Sequence, residues 1–194
     1  TDIQVDATND NGIQSRAAGT GTSVATGGYD TVFVDTSPGY WIYMAGTASK
    51  QGFTGTYVGP GVTMTEVTVA QLACTGTANL IKANFLAPYP GLDHATQEFK
   101  TANNNSYDDI YWSLWGLSQA IQQVLDASAS LTRPAFIDSL KGASLPGGVY
   151  APEKFKGGHF GGTGAYSLKI NCGETQPNQN QPGSWDTVGG LLLK

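Results

Sequence analysis

Charged residues are scarce in this sequence. Asp, Glu, Lys and Arg make up 13% of its 194 residues, roughly half the share of an average protein. The ten Lys and Arg residues are scattered singly, and fifteen Asp and Glu residues bring the net charge to −5. A nucleic-acid-binding face needs clustered cations to displace counterions from phosphate, and a polybasic membrane-surface segment needs them as well. We therefore expect no nucleic-acid partner and no attraction to an anionic lipid surface.

Long apolar runs and cofactor motifs are also missing. No stretch approaches the roughly 20 apolar residues of a membrane-spanning helix. His94 and His159 are the only histidines and each stands alone, so we expect no metal site. No nucleophile elbow, phosphate-binding loop or dinucleotide fingerprint occurs. The sequence thus predicts no cofactor and offers no sign of enzymatic chemistry.

Only two cysteines are present, Cys74 and Cys172. Their wide separation fits no zinc motif. An even number of cysteines is common in secreted proteins, where they pair, whereas cytosolic thiols usually stay free. The residues alone leave two outcomes open, a disulfide or two buried thiols. A disulfide would close a long loop and stabilise the fold by up to about 4–5 kcal/mol in the chain-entropy description.

The sequence does contain enough apolar residues for a core, at 40% of the chain, together with 26 glycines. In the first half, β-branched runs alternate with helical segments. Strands are predicted at 3–5, 31–34, 56–58 and 79–86, and helices at 40–50 and from the capping box of Thr63 and Glu66, while 13–27 is ambiguous. This order predicts a parallel α/β sheet with right-handed crossovers. The run at 31–34 has no alternation, which predicts a strand buried on both faces.

The second half has mainly helical patterns. The strongest helix is predicted at 108–126, where apolar residues follow one helical stripe. The stripe consists of Ile110, Leu114, Leu117, Ile121 and Val124. Further predictions are a helix at 94–102 capped by Asp93, a helix at 131–140, a Gly-rich loop at 146–166, a last strand at 166–170 and an irregular segment at 174–190.

Several short segments, in this order, carry a resemblance to a known family. They are 29–34, 52–55, 58–61, 111–121, 131–133 and 157–170, the last followed by Cys172. Together they resemble the C-terminal half of a type I periplasmic solute-binding protein, of the branched-chain amino-acid and amide class. The resemblance implies an α/β fold, in which a parallel-sheet, Rossmann-like lobe is joined by additional helices from the other lobe.

The resemblance also implies a division of the chain. Residues 1–87 would be an α/β segment of the second lobe, and 88–150 a helical segment that packs on the first lobe. Residues 151–194 would hold the crossover, the returning strand and a polar tail. The first-lobe sheet has no counterpart here, so the chain looks like a fragment, a split product or a natural partial copy. A missing N-terminal portion or a second copy, as a homodimer, would then cover the face near Trp112 and Trp115.

By the same resemblance, the protein is a non-enzymatic component of an ABC transporter outside the cytoplasm, periplasmic, lipid-anchored or secreted. It would bind a small-molecule solute by lobe closure and deliver it to a membrane permease. Because Cys74 and Cys172 would fall in the same lobe, the resemblance favours the disulfide.

Five residues are candidates for a ligand site. Asp35 and Ser37 follow the strand at 31–34, and ligands bind beyond the carboxyl ends of parallel strands; they could instead cap the next helix. Gly61 closes the next strand, either at the ligand or as a tight turn. The resembled family often has an acidic residue there that holds an α-amino group, so Gly61 weakens the assignment to amino acids. Tyr40 could stack on a ligand or pack in the core, and Tyr107 could face the cleft.

Other functions remain possible at this point. The same fold serves as the ligand-sensing domain of receptors. A small α/β enzyme would need a pair of catalytic groups that only the folded chain would bring together. A cell-surface interaction module is suggested by the Thr, Asn and Gly content, although the helix at 108–126 argues against an all-β adhesin.

Overall fold

The structure is a computed structural model that describes residues 12–61, 67–75, 81–156 and 161–193. Its helices are α1 Ile13–Thr26, α2 Pro38–Lys50, α3 Val67–Thr75, α4 Gln97–Ala102, α5 Asp109–Asp126 and α6 Arg133–Gly142. Its strands are β1 Thr31–Phe33, β2 Thr56–Pro60, β3 Lys82–Ala87, β4 Ser144–Leu145, β5 Glu153–Lys154, β6 Gly164–Thr175 and β7 Pro182–Leu193, with a 3₁₀ turn at Leu92–His94. The predicted strand at 3–5 and the capping box of Thr63 and Glu66 lie outside the described residues.

A five-stranded sheet in the order β1-β2-β3-β6-β7 forms the centre of the fold. The first three strands are parallel, with Thr31 beside Thr56 and Thr56 beside Lys82. β6 runs antiparallel to β3, and β7 runs antiparallel to β6. The parallel α/β sheet predicted for the first half is therefore confirmed in β1, β2 and β3. The short β4 and β5 pair with each other in a separate two-stranded sheet.

One face of this sheet packs on helices and forms the main core. Trp41 of α2 lies edge-on to Tyr57 and Phe85, with ring centroids 5.8 and 5.2 Å apart. β3 alternates strictly, burying Ala83, Phe85 and Ala87 and exposing the residues between them. Phe33 points to the other face and is 70% exposed. The prediction that 31–34 is buried on both faces is thus wrong, because β1 is an edge strand of the described sheet and packs on one side.

Helix α1 occupies the segment whose pattern was ambiguous. It packs on α2, and Gly21 permits the close approach, since an added Cβ would lie 2.5 Å from the Met44 carbonyl oxygen. Thr20 Oγ1 and the Tyr40 hydroxyl oxygen, 2.6 Å apart, add a hydrogen bond between the two helices. Tertiary packing here outweighs the weak helix propensity of the glycines and threonines.

A disulfide between Cys74 and Cys172 joins the end of α3 to β6. The two sulfur atoms are 1.99 Å apart. Of the two outcomes that the sequence left open, the disulfide is therefore the one observed.

A second core lies beneath α4 and α5. It is built by Tyr89, Ala95, Phe99, Tyr107, Trp112 and Val149. Trp112 is only 2% exposed, and its indole nitrogen donates to the Pro90 carbonyl at 3.1 Å. The expectation that Trp112 packs on a missing lobe or lies exposed is therefore wrong. Trp115 is partly buried and packs against the same core.

The exposed face of α5 lies elsewhere on the helix. Four of the five stripe residues, which we call the apolar stripe, are between 41 and 57% exposed; they are Ile110, Leu114, Leu117 and Ile121. Val124, the fifth, is buried. The amphipathic pattern predicted a face directed at the core, but within this chain it is directed outward.

Two boundaries in the second half differ from the predictions. Thr96, rather than Asp93, caps α4, because its hydroxyl accepts from the Phe99 amide while the Asp93 carboxylate binds Thr187. The segment 174–190 is not irregular, since most of it belongs to β7. Pairing with β6 places Trp185 beside Ile170 and Asp186 beside Lys169. Such cross-strand contacts decide strand formation more than intrinsic preference does.

Candidate functional site

The carboxyl ends of β1, β2 and β3 lie at one edge of the sheet, because these strands are parallel. Asp35 and Ser37 follow β1 and are both exposed. Gly61 follows β2. In open parallel sheets this edge is where ligands bind. The structure therefore places Asp35, Ser37 and Gly61 beyond the same edge.

Asp35 carries the chemistry available at this edge. No side chain among the described residues pairs with its carboxylate, which is exposed. An ionised carboxylate accepts hydrogen bonds from an ammonium, a hydroxyl or an amide N–H group. Asp35 is thus able to bind a cationic or hydrogen-bond-donating group of a small molecule.

Ser37 serves as the N-cap of α2. Its hydroxyl oxygen accepts from the Tyr40 amide at 3.4 Å, and Pro38 occupies the first helical position, where a missing N–H is harmless. The capping role considered from the sequence is therefore present. A hydroxyl oxygen has a second lone pair and a donor proton, so Ser37 can make further hydrogen bonds while it caps the helix.

Tyr40 and Gly61 offer little to a ligand through their side chains. Tyr40 is 1% exposed, and its hydroxyl meets Thr20 between α1 and α2. Gly61 is buried, and its amide donates to the Leu86 carbonyl, which continues the pairing of β2 with β3. The contacts of Tyr40 match the core-packing role that the sequence offered as its alternative, whereas the tight turn considered for Gly61 would involve residues outside the described ones.

Tyr107 belongs to the second core and not to the sheet edge. Its ring centroid is 4.9 Å from that of Phe99, and burial raises the pKa of its hydroxyl. The structure therefore does not bring Tyr107 together with Asp35 and Ser37 through any described contact.

A groove along α5 was not predicted from the sequence. It consists of two adjoining cavities of about 280 and 450 Å³ that share Trp115, Gln119 and Gly148. The smaller cavity reaches Tyr166 of β6. The sequence analysis places Trp115 near a face that a missing portion or a second copy would cover, and it does not predict this groove. The Gly147–Gly148 turn gave no signal of its own.

Titratable groups near this groove are few. Among the described residues, no group of three or more His, Cys, Asp or Glu side chains could hold a metal ion. His94 lies 3.8 Å from the Asp93 carboxylate at the exposed surface.

In the described part of the chain, no helix has the length and apolar character needed to cross a bilayer.

Glu153 of β5 makes a pH-dependent contribution to stability. Burial raises the pKa of its carboxyl group, and burial, followed by the charge of Glu153, raises the pKa of Tyr150. The folded state thus holds the Glu153 proton more tightly than the unfolded chain does. The resulting stabilisation is present below the ordinary Glu pKa of about 4.3 and is lost as the pH rises through the raised, folded-state pKa.

Replacing Glu153 by Gln is therefore expected to raise the free energy of unfolding at pH 7, because Gln cannot ionise. At pH values near the ordinary carboxyl pKa, the variant and the parent should differ little. Urea denaturation across this pH range checks the prediction. Glu174→Gln, at an exposed position at the end of β6, is the control. Equal stability of E153Q and the parent at both pH values would contradict it.

Comparison with known proteins adds a structural relative. The sequence matches no protein-family model and no curated protein. The structure is similar to a crystal structure of an ABC transporter substrate-binding protein from Aeropyrum pernix, with a TM-score of 0.61 and 14% sequence identity. The alignment covers 93% of this chain and 49% of the other, so the chain spans about half the length of that protein. The fold is therefore a mixed α/β fold like that of periplasmic binding proteins, built on a mainly parallel sheet.

Proposed function

We propose that this chain is the solute-binding component, or part of the solute-binding component, of an ABC transporter that acts outside the cytoplasm. It would bind a small molecule non-enzymatically, close its lobes around it and deliver it to a membrane permease. The observation that carries the proposal is the structural match over 93% of the chain to a substrate-binding protein.

Two further features support this proposal. The exposed Asp35 and Ser37 follow a parallel strand at the carboxyl edge, where this kind of sheet binds ligands. The disulfide between Cys74 and Cys172 is compatible with an oxidising compartment such as the periplasm or the cell exterior.

The apolar stripe on α5 supports a two-lobed arrangement. Its four residues are largely exposed, and a contiguous exposed apolar patch on a protein usually marks a surface that binds another protein or domain. The solved relative is about twice as long as this chain. We propose that a first lobe, supplied by a preceding portion of the protein, covers the stripe; a second copy of the chain is the alternative occupant.

We propose further that the solute carries an ammonium or another hydrogen-bond donor, which the Asp35 carboxylate binds, with Ser37 as a second contact. The resemblance drawn from the sequence names branched-chain amino acids and amides as the solute class. Gly61 supplies no acidic side chain there, so Asp35 would be the carboxylate at this edge that holds the amino group.

Thermal unfolding with added L-leucine, leucine amide and 4-methylpentanoate tests this function. Leucine amide keeps the ammonium and lacks the carboxylate, whereas 4-methylpentanoate lacks the ammonium. A bound ligand stabilises the folded state by mass action, and about 1 kcal/mol corresponds to roughly 2–4 °C in a chain of this size. We expect leucine and its amide to raise the melting temperature and 4-methylpentanoate to leave it unchanged.

The Asp35→Asn variant should lose the ligand-dependent shift. Asp30→Asn is the matched control, because Asp30 is also exposed but precedes β1 and so lies at the opposite edge. If no probe raises the melting temperature, or if D35N retains the full shift, the proposed site is wrong.

A further inference from the structure

Among the described residues, the main core and the second core have no residue in common. One lies between the sheet and α1 to α3, and the other lies within residues 92–126, which we call the helical unit, and the segments packed on it. Between the two cores runs a seam along β7 and the turn that connects β6 to β7. We call residues 176–181 of this turn the hairpin tip.

The hairpin tip binds the start of α5 through amide side chains. One oxygen of the Asp108 carboxylate accepts from Asn178 Nδ2 at 3.0 Å and from Gln179 Nε2 at 3.2 Å. Its other oxygen accepts from the Tyr111 amide and caps the helix. Asp108 is only 5% exposed. Hydrogen bonds to a largely desolvated carboxylate are stronger than those between neutral groups.

Two backbone groups of the helical unit take part as well. The Asp109 amide donates to Gln176 Oε1 at 3.0 Å, and the Tyr107 carbonyl accepts from the Asn178 amide at 3.2 Å. On the other side of the tip, Gln71 of α3 donates to Gln179 Oε1. The hairpin tip thus connects α5 to a helix of the main core.

A second group of polar contacts lies further along β7. The Asp93 carboxylate accepts from the Thr187 hydroxyl at 2.9 Å and from the Thr187 amide at 3.2 Å. The Gly91 amide donates to the same hydroxyl at 2.9 Å. The start of the helical unit and the beginning of α5 are therefore both held to the hairpin by hydrogen bonds.

Polar contacts of this kind can be exchanged for hydrogen bonds to water, so the net cost of breaking each of them is far smaller than its strength in isolation. Separating two apolar surfaces costs more, since water makes no comparable bond to the apolar area that is exposed. A pocket of about 280 Å³ also lies between Trp112 and Trp115 of α5 and Tyr166 of β6, where the helical unit approaches the sheet. If the two cores move apart, this seam is where they separate.

We propose that the hairpin tip is a clasp that holds the helical unit against the sheet in one orientation and releases it as a rigid body. Release breaks the bonds from Asn178 and Gln179 to Asp108 together with the other hydrogen bonds of the hairpin tip and of Thr187 to the helical unit, and it leaves both cores intact. The inference rests on the proposed function in one respect, because lobe closure around a solute would require such a movement. The clasp itself needs no solute and is tested without one.

The test measures the distance between α5 and α2 by double electron–electron resonance. Spin labels are attached through Ser118→Cys and Lys50→Cys, both at exposed positions. The parent should give one narrow distance distribution. In the Asn178→Ala/Gln179→Ala variant, the released population should rise about tenfold or more, since both side-chain hydrogen bonds to the Asp108 carboxylate are lost together with the one from Gln71 to Gln179. Hydrogen exchange of the α5 amides should stay as slow as in the parent.

The control is Gln14→Ala/Gln51→Ala. It also removes two hydrogen-bonded amide side chains, but these bind Tyr43 and Thr22 between α1 and α2. The control should keep the parental distribution. An unchanged distribution in N178A/Q179A, or a broad one accompanied by fast exchange throughout α5, would overturn the clasp. A failure of solute binding would instead appear in the melting-temperature assay and leave these distances unaffected.

Discussion

Replacing Cys74 and Cys172 together by alanine is expected to lower the free energy of unfolding by about 4–5 kcal/mol. The bond joins residues 98 positions apart, and a loop of this length accounts for about 4.7 kcal/mol of chain entropy in the unfolded state. Small domains have only about 5–15 kcal/mol in total. The variant should therefore unfold at a much lower urea concentration than the oxidised parent.

Reductant provides the control for this prediction. It should move the parent toward the variant and leave the double-alanine protein unaffected, because that protein has no cysteine left. Equal urea midpoints for the oxidised parent and the variant would mean that the disulfide contributes nothing to stability.

Truncation of Phe99 to alanine is the second change with a large expected effect, about 3–5 kcal/mol of lost stability. Phe99 is fully buried and lies at the centre of the second core. Its ring contacts those of Tyr107, Trp112 and Trp115, with centroids 4.8–5.8 Å apart. Because six buried residues make up this core in the described part of the chain, little neighbouring structure is available there to fill the cavity.

Leu114→Ala is the matched control for Phe99→Ala. Leu114 lies on α5 as part of the apolar stripe and is 57% exposed, so its truncation should change stability by no more than about 0.5 kcal/mol. Urea denaturation followed by near-ultraviolet circular dichroism reports on the tryptophans beside Phe99. Similar losses for F99A and L114A would contradict the assignment of the second core.

The parallel part of the sheet could be predicted because each strand carries its own signal. The runs at 31–34 and 56–58 are rich in β-branched residues, and one helix separates them. β7 could not be predicted in this way, because its residues form a strand through their pairing with β6. Trp185, for example, is buried beside Phe85, and nothing local to 182–193 indicates that contact.

The sheet edge at which the candidate residues lie could be predicted from the sequence, whereas the burial of their side chains could not. Asp35 follows from the rule that ligands bind at the carboxyl ends of strands. Tyr40 is near that edge in sequence, but the helical phase of α2 turns its ring toward α1. The same limit applies to Trp112, because a spacing of three residues does not reveal which side of α5 meets Phe99.

The contacts of the hairpin tip had almost no sequence signal. An aspartate is a common residue at a helix N-cap, and Asp108 caps α5 by accepting from the Tyr111 amide. Its second role depends on Asn178 and Gln179, some seventy positions later. In a chain with so few charges, carboxylates are bound here by amides rather than by cations.

The disulfide also makes part of the chain into a covalent ring. Residues 75–171 lie between its two cysteines, and the whole helical unit falls inside that span. A protease that nicks the exposed turn at Asn104 and Asn105 would therefore produce two peptides that remain one molecule. The strands on either side of the cut, β2 and β3 before it and β6 and β7 after it, would stay tethered through α3. Damage to the helical unit thus need not disperse the sheet that it is attached to.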